Sequence, residues 1–239
     1  MKKILFLTCS LLFVLLNACA PVYVPATHAS PMLEKQGEVH TSLYTGSNGF
    51  NGQFAYAPTD KFGVMFNGMY LTDKEEGDND REYENKIVYG EIAFGRYSRL
   101  NNFFRLESYL GSGHGWSRAW DGFNLFTEDD EDYVKGYFNK YFATTNLAFA
   151  TTMLDAGFGA RLAYVDFYSL VDERDNKLGS SRNAFFAEPM VFTRLGHGLI
   201  KYEMMVGLTL PVNKKPRFDY DPMYISIGVH LNWGAVKEE

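Results

Sequence analysis

Alternation with a period of two runs through most of the chain. Between 223 and 233, Met223, Ile225, Ile227, Val229, Leu231 and Trp233 fall on one face. Tyr224, Ser226, Gly228, His230 and Asn232 fall on the other. Residues 200–210 repeat the pattern, with Ile200, Tyr202, Met204, Val206, Leu208 and Leu210 set against Lys201, Glu203, Met205, Gly207 and Thr209. Such alternation marks a strand with two chemically different faces. It predicts ten strands, at 37–45, 49–57, 61–72, 84–98, 102–116, 134–150, 154–170, 183–195, 199–210 and 222–233. Several exceed the usual strand of ~5–6 residues and match or exceed the ~9–11 residues of a membrane-crossing strand. Pro189 falls mid-strand and lacks a ladder donor, so a bulge or a weakly paired stretch is expected near Glu188.

The connections sort by length. Those at 58–60, 100–101, 151–153 and 196–198 are tight, while those at 73–83, 117–133, 171–182 and 211–221 are long and polar. Only the first, around Ser47 and Asn48, breaks the alternation. Successive hairpins open at opposite ends of a sheet, and outer-membrane barrels keep short turns on the periplasmic side and long loops outside. The expected fold class is therefore all-β: a closed antiparallel up-and-down transmembrane β-barrel of about ten strands. An even count puts both ends of the chain on the periplasmic side.

One face of these strands is apolar and aromatic, suited to lipid. The other carries Glu91, Arg105, Glu107, Arg161, Glu188, Arg194, Lys201, Glu203 and His230. A narrow ten-stranded barrel directs these into its lumen. Buried charge is costly unless paired, so both signs together predict a charge network that fills the lumen. The competing reading is a polar path or binding cavity. His40 and His230 are expected to face each other, because the first and last strands pair on closure.

Composition agrees with an ordered β-rich chain of 239 residues. Hydrophobic residues make up 46%, aromatic residues 16% and charged residues 22%. That mixture rules out general disorder. The formal charge of −6 argues against a nucleic-acid partner. Cys9 and Cys19 are the two cysteines, so neither a disulfide framework nor a Cys-built metal site is expected.

The N-terminus reads as a processing signal. Lys2 and Lys3 precede an apolar run from Ile4 to Leu16, too short to span a bilayer and right for the core of a signal peptide. Leu16-Asn17-Ala18-Cys19 resembles the lipobox of bacterial lipoproteins, which implies cleavage before Cys19 and acylation of its thiol. The expected organisation is a signal peptide at 1–18, a lipid-anchored Pro-rich tether at 19–36 and a single barrel domain at 37–239. Pro21, Pro25 and Pro31 favour an extended, semi-rigid tether.

A wider resemblance rests on Ala18-Cys19-Ala20-Pro21, the Pro-bearing spacer ending in Pro31-Met32-Leu33, Gly37-Glu38, and the run Ala55-Tyr56-Ala57-Pro58-Thr59-Asp60-Lys61-Phe62-Gly63-Val64. In these the chain resembles the small outer-membrane β-barrel lipoproteins of Bacteroidota. The resemblance implies an outer-membrane location and a barrel fold, with no assigned chemistry.

Candidate chemistry is sparse. The chain contains no nucleophile-elbow, zinc-peptidase or phosphate-loop motif. His114, near Ser112, Ser117 and Asp121, is the one candidate base for a nucleophile, against the plainer reading of a Gly-His-Gly hinge. His197, between two glycines, reads as a turn residue. The acidic stretches 73–84 and 128–132, with Asp78-Asn79-Asp80 inside the first, offer oxygen ligands for Ca²⁺, against the plainer reading of solvated loops. Trp116, Trp120, Phe123 and Phe126 are expected in an interfacial aromatic girdle.

The leading expectation is a lipid-anchored outer-membrane barrel with a structural, adhesive or narrow-pore role. It has outer-membrane lipid as its partner and neither cofactor, metal centre nor catalytic group. The alternatives are a barrel hydrolase acting on lipid or peptide at its outer rim, and a periplasmic lipocalin-like carrier. The carrier requires an apolar lumen and a polar exterior.

Overall fold

The computed structural model describes residues 21–76, 82–121, 132–171, 182–212, 216 and 218–234. Its strands are β1 (Val39–Gly46), β2 (Gly49–Tyr56), β3 (Phe62–Glu76), β4 (Glu82–Arg99), β5 (Phe104–Asp121), β6 (Asp132–Ala150), β7 (Leu154–Val171), β8 (Arg182–His197), β9 (Ile200–Leu208), β10 (Leu210–Pro211) and β11 (Met223–Asn232). Each pairs antiparallel with the next in sequence from β1 to β9, β9 pairs with β11, and β11 closes the wall against β1. The two-residue β10 continues the line of β9 beyond Thr209, so the wall has ten staves. The expected closed up-and-down barrel is what the chain forms.

Two departures from regular pairing have local causes. Met190 pairs with Gly207 and Ala187 with Leu210, but the ladder skips Glu188 and Pro189 between them. Pro189 has no N–H to give on that side, which splits the ninth stave at Thr209. Towards β7 it stays in register, opposite Ala160. The true irregularity lies elsewhere: Tyr137 pairs with Ser169 and Phe138 with Phe167, leaving Tyr168 as an extra residue in β7.

The hairpins at the long-loop end run further than the alternation predicts. β3 and β4 stay paired out to Glu76 and Glu82, and β5 and β6 out to Asp121 and Asp132. Residues expected in loops thus belong to strands, because an in-register antiparallel ladder keeps satisfying backbone groups after the apolar pattern ends.

The wall is apolar on its outside. Midway along their strands, Leu43, Leu110, Leu162, Met204 and Ile227 are each at least half exposed. Exposed aromatics stand along its height, from Phe62, Phe104 and Trp233 at the short-turn end, through Phe94 opposite Leu110, to Tyr137 and Tyr168 towards the other end. Cationic side chains lie over such rings, with the Arg96 guanidinium 5.7 Å from the Phe62 ring centre and Arg118 3.9 Å from that of Tyr133. Trp116 is half-buried on the outer face. The Trp120 side chain, Phe123 and Phe126 lie outside the described residues.

Inside, aromatic rings lie over glycines of the facing strand. A Cβ at Gly136 would meet the Phe167 ring at 2.6 Å and Leu170 at 3.1 Å. At Gly68, on the outer face, the nearest atom to such a Cβ is 3.8 Å away. Gly136→Ala should therefore lower stability by about 1–3 kcal/mol, the usual cost of overpacking a filled core, while Gly68→Ala should change it little. Thermal unfolding of both variants in detergent checks this, and equal loss in the two would contradict the packing.

Candidate functional site

The lumen is occupied by the chain's own N-terminal segment. Residues 22–33 are buried throughout, with Tyr23 at 1% and Leu33 at 0% exposure. Twelve extended residues reach ~40 Å at most, enough to cross a barrel from one mouth to the other. The expected tether is extended, as its prolines dictate, but it lies inside the barrel. Nothing charged occurs between Val22 and Leu33, and seven of the twelve residues are Val, Tyr, Ala, Met or Leu, so burial costs little and removes apolar surface from water.

An extended segment in a closed barrel has no neighbouring strand to complete its ladder. Its backbone must be satisfied by side chains from the wall. Starting at the long-loop end, the Tyr23 amide donates to the Asp219 carbonyl, and the Asp221 amide to that of Tyr23, in a short parallel bridge. Asn48 donates to the Pro25 carbonyl at 3.1 Å, Arg161 to that of Ala26 at 3.0 Å and Gln53 to that of Thr27 at 2.9 Å. The Thr27 amide donates to Asn51, and the His28 amide to the Tyr224 hydroxyl, each at 3.0 Å. Further down, Asn146 donates to the Ala29 carbonyl, Arg194 to that of Ser30 and His40 Nδ1 to that of Pro31. The Met32 amide donates to Glu107 at 2.9 Å. Pro25 and Pro31 have no amide to satisfy. The first hairpin turn is short for the same reason: it places Asn48 in the lumen, where its amide also donates to Thr27 Oγ1 and its carbonyl accepts from Ser226.

At the short-turn end the chain reverses. Met32 is left-handed, with φ 57°, held there by its bond to Glu107 and by burial. Gly37, with φ 85°, completes the turn. Glu38 accepts from the amides of Glu34 and Lys35. Burial pushes its carboxyl above the ordinary value, partly offset by those two donors. Asp221, under the opposite mouth, is likewise raised by burial and held back by the Met223 amide. Both shifts favour the protonated form, so each group's contribution to stability is present at low pH and lost as pH rises through its folded value.

The luminal charges predicted from sequence are buried, except the half-buried Lys201, and most find partners. Arg161 Nε lies 2.5 Å from Glu188, with Nη1 3.6 Å from Glu91. Lys140, absent from the expected set, stands 3.6 Å from Glu188 and 4.0 Å from Glu91. It also lies within 6 Å of the rings of Tyr23, Tyr89 and Phe142, which face a cation favourably. Two cations and two carboxylates thus balance around the Tyr23 hydroxyl, which donates to Glu188 at 2.9 Å. Lower down, Arg194 Nε pairs with Glu203 at 2.9 Å, and Glu203 accepts from Tyr44 at 2.7 Å. Lys201 reaches Asp155 at 2.7 Å. His230 and His40 meet edge to face at 5.0 Å, as chain closure implies, and His230 bonds to Ser42.

The network is not purely charge against charge. Arg105 pairs with Glu34 of the returning chain at 2.8 Å, while Glu107 accepts from Met32 and Asn146. These luminal groups divide their capacity between one another and the inserted backbone. Residues missed in the sequence, namely Lys140, Asn48, Asn51, Gln53, Asn146 and Tyr224, all lie on the inward parity of their strands or, for Asn48, in a turn. Parity alone was available as a signal. Nothing in the sequence announced the backbone they serve.

A cavity of about 10 Å³, lined by Ala29, Pro31, His40 and Gln53 among others, is at the limit for a single water. A carrier's apolar lumen and polar exterior are the reverse of the observed wall. His114 is exposed on the outer wall, bonded to Asn139 at 3.0 Å and stacked on Tyr168. Ser112 shares that face, whereas Ser117 is buried on the inner one. The Asp121 side chain lies outside the described residues, as do Cys19, Asp78-Asn79-Asp80 and residues 128–131. Among the described residues no group of three or more acidic, His or Cys side chains is placed to hold a metal. No protein-family model matches the chain, and no curated protein matches it either.

Two predictions test the inserted segment. Thr27 Oγ1 lies 2.9 Å from Ser226 Oγ, so Thr27→Cys combined with Ser226→Cys should form a disulfide on mild oxidation. Peptides holding the two positions should then run together in a non-reducing digest, and their separate appearance would place the segment elsewhere. Glu188→Leu removes the carboxylate shared by Arg161, Lys140 and Tyr23. Breaking a buried ion pair from one side costs about 3–5 kcal/mol, measurable as a fall in the unfolding midpoint. Removing Lys140 as well, by Lys140→Met, should recover part of that loss.

Proposed function

We propose that the chain is a lipid-anchored outer-membrane barrel that serves as a sealed structural or surface-presenting module, and that it carries out neither catalysis nor transport. The observation that supports this most directly is the filled lumen. The inserted segment, buried from Val22 to Leu33 and bonded to the wall from Tyr23 to Met32, takes up the space a solute would use. That favours the structural and adhesive readings over a narrow pore.

The outer wall supports a membrane setting. An exterior with exposed Leu43, Leu110, Leu162, Met204 and Ile227 at mid-height, together with Phe94 and Phe66, matches an outward-facing hydrocarbon belt. The segregation of long connections to one end supports the usual orientation, with that end outward. Cys19 is the proposed acceptor of the anchor. Its thiol sulfur attacks the glyceryl carbon of a phospholipid, forming a C–S bond as the C–O bond to the phosphate headgroup breaks and the thiol proton leaves with that headgroup. Water then hydrolyses the peptide bond between Ala18 and Cys19.

Arg at the midplane of a barrel's lipid face costs about 2–4 kcal/mol. Ile227→Arg, at the middle of β11, should therefore reduce the folded, heat-modifiable band in outer-membrane fractions. Met153→Arg, exposed in the short turn between β6 and β7, should assemble almost normally. Full assembly of Ile227→Arg would count against the membrane setting.

A further inference from the structure

We infer that the polypeptide enters its own barrel from the long-loop mouth, so that an acyl anchor on Cys19 lies in the leaflet at that end, the outer leaflet, rather than on the periplasmic side. This rests on the membrane reading above and adds the side from which the anchor acts.

The direction of the inserted segment carries the inference. β1 begins and β11 ends at the short-turn end, as an even number of staves requires. The chain does not stop there. Gln36 bonds to Asp60 and Pro58 in a short turn. Met32 then bonds to Glu107, three residues into β5 from its short-turn end. His28 bonds to Thr144, two residues further along β6 than Asn146, the register partner of Glu107. Tyr23 is bridged to Asp219 and Asp221, in the connection between β10 and β11 at the opposite mouth. Read from Gln36 to Tyr23, the contacts climb the barrel without turning back.

Chain length excludes a return. Cys19 is two residues before Pro21 and so within ~7 Å of it along the chain. Crossing the lumen takes the twelve residues 22–33. Two residues cannot bring Cys19 back to the short-turn end, and the lumen is already filled. Acyl chains on Cys19 therefore find the nearest hydrocarbon at the long-loop rim.

Single-thiol labelling of the full chain in intact cells tests this. The mature protein, cut before an acylated Cys19, has no free thiol of its own. Pro21→Cys reports the mouth from which the segment emerges. Asp73→Cys, exposed near the long-loop end of β3, reports the long-loop end. Asn102→Cys, exposed in a short turn, reports the other. A membrane-impermeant maleimide should label Pro21→Cys and Asp73→Cys in intact cells and Asn102→Cys only after permeabilisation. Labelling of Pro21→Cys together with Asn102→Cys, and not with Asp73→Cys, would overturn the inference and leave the membrane barrel standing. Recovery of all three variants in the aqueous fraction would overturn the membrane reading beneath it.

Discussion

An extended backbone inside a closed barrel has no sheet edge to join. Every amide and carbonyl it buries loses water and gains no ladder, at a cost of about 1–3 kcal/mol for each group left unmade. The inner wall of this protein is organised around that requirement. Asn48, Asn51, Gln53, Asn146, Arg161, Arg194 and Glu107 all give hydrogen-bonding capacity to the segment 25–32. The segment in turn carries two prolines, which lack the amide that would otherwise need a partner. Its apolar side chains fill what the wall leaves. Val22, Tyr23, Val24 and Ala26 join one core cluster, Ala29 and Leu33 a second and Met32 a third.

The buried charges follow from the same arrangement. A ten-stave wall alone would enclose water around Glu91, Arg161, Lys140 and Glu188. With the segment in place, water is displaced and the four groups must neutralise one another. The Tyr23 hydroxyl supplies a further donor to Glu188. Ion pairs of this kind contribute little net stability compared with apolar packing, but they penalise any arrangement that separates them. They set the register of segment against wall more than the depth of the energy well.

The lumen therefore behaves as a core. Rings packed over inner glycines, charges set against one another and a backbone bonded to the wall occupy its interior. The apolar exterior is the surface left to meet the surroundings.

Period-two alternation by itself determined the barrel: the staves, their inward and outward faces, the tight turns at one end and the facing pair His40 and His230. It could do so because the pleat makes face a function of parity alone. It underestimated the reach of β3 to β6, since paired backbone continues where apolar side chains stop. The luminal charges were legible by parity, but their partners were not. Arg105 finds Glu34 and Glu107 finds Met32 because a segment distant in the fold returns between them. The absence of charge from Val22 to Leu33 was visible and fits burial, yet three prolines read equally well as a tether. Which of the two holds depends on a volume enclosed only once β1 meets β11, and no local pattern in the sequence encodes that volume.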